Sequence, residues 1–165
     1  MASKKTTRRE PDEIQREVSK RLKKYNKLSF LEQFAMFIGS AQILELGLKH
    51  LLARRYKQDL EQMEKWTLGR TAKELKKFGL RQDFILLLES VVQYRNYIAH
   101  ELLVNDAMLK ALVGKSGRLE QRHLGKGIYE LEQIMVFHDW LEKHSAWDTP
   151  AAQQVAPADA ERRRG

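Results

Sequence analysis

The chain has 165 residues, a formal net charge of +8 and no cysteine, and 42% of its residues are hydrophobic. That length predicts one domain with tails, and the missing cysteines exclude a disulfide scaffold and thiolate metal sites and fit a reducing, cytoplasmic compartment. No run reaches the roughly 18–20 uncharged apolar residues of a membrane span, the basic start "MASKKTTRRE" leads into no apolar signal stretch, and the charge surplus favours a polyanionic partner, although a solvated basic surface would carry the same surplus.

Prolines stand only at positions 11, 150 and 157. Long periodic segments therefore run uninterrupted between them, and the predicted fold is all-α, a bundle of four to five helices. A charged helix over 13–27 carries Ile14, Val18, Leu22 and Tyr25 on one thin side. It is expected to pack weakly, on the body or on a partner, and it completes a basic N-terminal segment, 1–27. The bundle itself should span 28–144. Ser29 with Glu32 three residues on reads as a capping box. It opens a helix whose stripe runs through Phe34, Phe37, Ile38, Ala41, Leu44, Leu48, Leu51 and Leu52.

A third helix is predicted over 60–77, with a break at "TLGRT" where Thr71 could recap it, and Gly79 should stop it. The fourth runs from about Arg81 to Val113. The segment "GKSGRLEQRHLGKG", 114–127, reads as a glycine-rich basic loop, followed by a fifth helix, 128–142, with Ile128, Leu131, Ile134 and Met135 inward. The segment 145–165 is expected to be a disordered tail, rich in Ala, Gln, Pro and Arg after Trp147.

Several chemistries find no support. "GKS" at 114–116 lacks the earlier glycine and the preceding strand of a P-loop, since Leu109 stands where that glycine belongs. Histidines 50, 100, 123, 138 and 144 form no HxxxH or HExxH spacing, so no metal site or cofactor is expected. His138, on the apolar stripe of the last helix, reads as a satisfied core histidine, and the remaining aromatics read as packing.

One stretch resists a purely structural reading: "SVVQYRNYIAHELLV", 90–104. At about 100° per residue, Phe84, Leu88, Val91, Ile98 and Leu102 form one core stripe with Arg95 in its midst. A charge there needs a partner or a cleft. A structural account pairs it with Glu45, which lies on the apolar stripe of the second helix. Asn96 and His100 are i, i+4 neighbours, so Asn96 can orient the imidazole. His100 diverges from Arg95 by about 140° on a straight helix. Tyr94, Tyr97 and Val104 cover a further side, so the helix is apolar nearly all round. Either it is the central helix of the bundle or two copies pack it together, gathering Arg95 and His100 of both subunits around one axis.

Such a set suits a phosphate. A histidine, whose ordinary pKa lies near 6.5, can take a proton from a ribose 2′-hydroxyl or give one to a leaving 5′-oxygen. An arginine can hold the scissile phosphate bidentately and stabilise the charge that builds there. RNA supplies its own nucleophile, so neither a metal nor a protein nucleophile is required.

"RNYIAH", 95–100, resembles the R-x4-6-H motif of the HEPN superfamily, with its frequent asparagine directly after the arginine, and the likeness covers roughly 28–144. The resemblance implies a homodimer through the helix carrying 90–104, with a composite cleft and metal-independent endoribonuclease activity. It also implies a toxin or effector in a toxin–antitoxin, abortive-infection or other anti-phage system, with an antitoxin or defence partner. By position it assigns catalysis to Arg95 and His100 and a supporting role to Asn96. One departure is Leu102, where a subgroup regulated by tyrosine modification carries tyrosine. Lys115, Arg118, Arg122 and Lys126 of the basic loop, with the N-terminal helix, would hold the RNA backbone, unless that loop is merely a solvated connection. A non-catalytic helical adaptor, or a nucleic-acid-binding subunit of a larger complex, is the alternative. A DNA-binding regulator using Arg70, Lys73, Lys76 and Lys77 ranks last, because those charges more simply make a wet face.

Overall fold

A computed structural model of the chain describes residues 10–113 and 117–148. They form an all-α bundle with no strand among them. The helices are α1 (Glu10–Leu22), α2 (Phe30–Tyr56), a single turn α3 (Leu60–Met63), α4 (Leu68–Lys77), α5 (Gln82–Tyr97), α6 (Leu103–Val113) and α7 (Arg118–His144). A 3-10 turn, Lys23–Tyr25, ends α1, and a π-helical turn, Ile98–Leu102, joins α5 to α6 in one rod. None of these helices is long and apolar enough to cross a membrane.

Local chemistry sets most boundaries. The Ser29 hydroxyl accepts the Glu32 N–H at 3.2 Å and the Glu32 carboxylate accepts the Ser29 N–H at 2.7 Å, so the capping box is complete. Asp59 caps α3 at the Glu61 N–H. Thr67, not Thr71, caps α4, through the Arg70 N–H. Thr71 is fully buried one turn later, its hydroxyl donating to the Thr67 carbonyl at 2.9 Å. After α4 the chain reverses at Gly79 with φ +75°, the conformation that favours glycine.

The core lies between α2, α5 and α7, with α4 leaning on α2 and α5, and α1 on α7. Phe37, Leu48 and Leu52 meet Phe84, Leu88 and Val91 and Leu124, Leu131 and Leu141 at essentially zero exposure. Burial of this order is the main drive to fold.

Three expectations fail here. The first is the loop 114–127: α7 begins at Arg118, and only 114–116 fall outside the described residues. The glycines misled, because Gly127 is not a hinge but a point of close approach. A Cβ there would lie 2.6 Å from Ile98 Cδ1 and 3.3 Å from Phe37 Cε2. The second is weak packing of α1. Val18 is fully buried, and the Tyr25 hydroxyl donates at 2.7 Å to Glu132, which is itself fully buried and ion-paired with Lys24 at 2.6 Å. Arg21 reaches Asp139 at 2.7 Å. The third is the tail from 145. Trp147 is 3% exposed, edge-on to Phe84 at 5.1 Å, and its carbonyl accepts the Arg81 N–H. The rest of that tail, 149–165, lies outside the described residues.

His138 departs from expectation in a smaller way. It packs edge-on against Trp147 at 5.3 Å, but its buried Nε2 has no hydrogen-bond partner among the described residues.

Candidate functional site

Arg95 and Asn96 stand at the end of α5 and His100 in the middle of the π turn. A π turn takes one residue more per turn than an α turn and recurs at functional sites. Arg95 and His100 are five residues apart, so this turn narrows the roughly 140° that would part them on a straight helix. Nothing in the sequence pattern signalled it, because the apolar residues on either side keep an ordinary helical spacing.

The rod keeps its apolar side inward, with Val91, Ile98 and Leu102 at zero exposure. Leu86, Gln93, Asn96, His100 and Val104 are all exposed, and their intervals of seven, three, four and four place them on one outward ridge. Arg95 is half-buried on its flank. Its guanidinium donates to its neighbour, Asn96 Oδ1, at 3.4 Å. Among the described residues His100 has no hydrogen-bond partner, so Asn96 turns its carbonyl oxygen to the arginine and not to the imidazole.

Glu45 does not meet Arg95. It binds Lys49 one turn along α2 at 2.9 Å, and the buried Lys49 ammonium also donates to the Glu64 carbonyl at 3.2 Å. Half-buried Arg95 retains access to water and needs no buried counter-ion, whereas Lys49, 9% exposed at its side chain, does. Glu45 therefore anchors the turn between α3 and α4.

The basic residues assigned to a loop lie on a helix instead. Arg118, Arg122 and Lys126 recur every four residues along the exposed side of α7, and Lys115 lies outside the described residues. On the side of α7 nearer the rod, His123 packs against Tyr97 with ring centroids 4.9 Å apart. Among the described residues no three His, Asp or Glu side chains come together as a metal site would require.

The grooves lined by Ile14, Arg21 and Trp140, by Leu51, Arg54 and Ser145, and by Pro11, Leu87 and Phe137 include neither Arg95 nor His100. His100 stands on the outward ridge and Arg95 on its flank, outside these grooves.

Trp66 packs against the core as a packing aromatic should, but it also meets a cation. Arg70 lies over its ring, 4.5 Å from the centroid, and their i, i+4 spacing at a helix start was the available signal. Comparison with protein-family models, with curated proteins and with solved structures finds no match for this chain.

Proposed function

We propose that the protein is a metal-independent endoribonuclease that acts as a homodimer, with Arg95 and His100 of both subunits at a shared cleft and Asn96 holding Arg95. The observation that carries the reading is the π turn. It interrupts an otherwise regular α-helical rod at His100, where Asn96 and His100 are exposed and Arg95 is half-buried beside them, bonded to nothing outside the motif among the described residues. Leu86, Val104 and Met108, each more than half exposed on the same rod, are apolar area that a second copy would cover.

In this reading one imidazole takes the proton of a ribose 2′-hydroxyl as its oxygen attacks the adjacent phosphorus. The bond from phosphorus to the 5′-oxygen breaks, the other imidazole protonates that oxygen, and a 2′,3′-cyclic phosphate and a 5′-hydroxyl remain. Arg95 stabilises the charge on the phosphoryl oxygens. The exposed row Arg118, Arg122 and Lys126 supplies cations for the RNA backbone. A role as a toxin or defence effector with an antitoxin partner belongs to the same reading and rests on the resemblance of "RNYIAH" to the HEPN motif.

The test is incubation of the protein with total RNA in EDTA. Cleavage is expected from the wild type and should fall by about 100-fold or more in His100→Ala and in Arg95→Ala. Intact RNA in every lane would sink the enzyme reading. The second reading, a non-catalytic helical adaptor, draws on a different face. Leu31, Ile43 and Leu46 of α2 point outward at 63, 64 and 56% exposure. It gains if RNA stays intact and charge substitutions at Ile43 and Leu46 release a bound protein.

A further inference from the structure

The turn between α3 and α4 holds a second polar feature of the surface. Arg70 is exposed and lies 4.5 Å over the ring of half-buried Trp66, whose inner edge packs on the core. Hydrogen bonds hold the turn from both sides. The Trp66 N–H donates to the Met63 carbonyl at 2.9 Å, the Thr67 hydroxyl accepts the Arg70 N–H, and buried Lys49, braced by Glu45, grips the Glu64 carbonyl. An aromatic ring and a planar cation are thus pre-organised together.

Charge along α4 is unevenly spent. Lys76 is paired with Glu89 at 2.7 Å and Lys77 with Glu74 at 2.8 Å. Among the described residues neither Arg70 nor Lys73 is paired with a carboxylate, so the surplus sits toward the Trp66 end. That end touches the rod close to the motif. A Cβ on Gly69 would lie 3.3 Å from Val92 Cγ1. Val92 is one helical turn before Arg95 and Asn96 and, at i+3 and i+4, shares their flank of the helix.

We infer that Trp66 and Arg70 form a stacking platform for an unpaired base of single-stranded RNA, whose backbone continues past Val92 to Arg95 and Asn96. Aromatic rings and arginine planes are the surfaces on which proteins stack splayed-out bases, and every base offers a π-face, so the platform selects unpaired strands without selecting sequence. This rests on the RNA reading but specifies the substrate as single-stranded and places a nucleotide beside the cut.

The experiment measures binding of a short fluorescent RNA carrying 2′-O-methyl groups, which cannot be cleaved, by anisotropy at fixed salt. Trp66→Leu and Arg70→Gln should each weaken binding about 5- to 100-fold, whereas Lys73→Gln should change it about twofold, as one backbone charge does. Pairing the oligonucleotide into a duplex should erase the difference between wild type and Trp66→Leu. Wild-type affinity in folded Trp66→Leu, or an equal loss on single strand and duplex, overturns the platform. Should Trp66→Leu fail to fold, Arg70→Gln at the surface decides alone. No binding by the wild type also overturns it. A wild type that binds through Trp66 yet never cuts RNA sinks the nuclease reading and leaves the platform standing. Cleavage with unaltered binding in Trp66→Leu does the reverse.

Discussion

The seam between α1 and α7 and the π turn between α5 and α6 treat polar side chains in opposite ways. Along the seam polar groups reach partners distant in sequence: Tyr25 and Lys24 both reach Glu132 Oε1, Arg21 reaches Asp139, and the Tyr129 hydroxyl donates to Gln15, while Glu132 Oε2 is buried with no partner among the described residues. At the π turn Arg95 bonds only its neighbour Asn96 among the described residues, and His100 faces water. Polar groups that serve stability are hydrogen-bonded where water cannot reach them. Polar groups left to solvent on a distorted turn contribute little to folding and are free for a ligand.

The strongest way to break that contrast is to remove one member from each side. Glu132→Ala strands the buried Tyr25 hydroxyl, and an unfolding midpoint in urea should show a loss of about 2–3 kcal/mol. Asn96→Ala and His100→Ala should each stay within about 0.5 kcal/mol of the wild type. A large loss for His100→Ala would make the motif structural after all.

A smaller effect sharpens how the π turn is held. Gly127→Ala pushes a methyl group against Ile98, the first residue of that turn, and should cost about 1–2 kcal/mol despite alanine's better helix propensity. The same substitution in an Ile98→Val background, which removes the clashing Cδ1, should cost less or turn stabilising in the same urea titration. An unchanged cost would place the strain elsewhere.

The smallest effect concerns pH. Burial first, and then the hydrogen bond to Glu132 and its negative charge, raise the Tyr25 phenol above its ordinary value of 10.0. Its folded pKa exceeds its unfolded one, so the folded state holds the proton more tightly. The stabilisation is complete below about pH 10 and is lost as pH rises further. Thermal melts of Tyr25→Phe should therefore decline less steeply above pH 10 than those of the wild type.

Helix periodicity made the bundle legible, because each amphipathic stripe reports its own burial. Ser29 with Glu32, and Gly79, were legible because capping is settled within four residues. Gly127 misled, since a glycine required for close packing looks the same in sequence as one required for a loop, and only the approach of Ile98 and Phe37 tells them apart; Gly125 misled as well, an exposed helical glycine with open space about its Cβ position. Arg95, Asn96 and His100 could be singled out because polar groups on an apolar rod stand out against its period. Their partners could not. Glu45 looked suited to Arg95 on pattern alone, yet Lys49 on the same helix claims it.

What the order of residues determined by itself is therefore what short-range physics decides: an all-α chain, the cap at Ser29 and the stop at Gly79, its apolar faces, and a motif out of place on one of them. Tertiary structure alone decided the π turn beneath His100, the anchoring of α1 through Glu132, and the return of Trp147 to the core. Each of these depends on pairing across tens of residues, where many partners satisfy the same local pattern and packing selects among them.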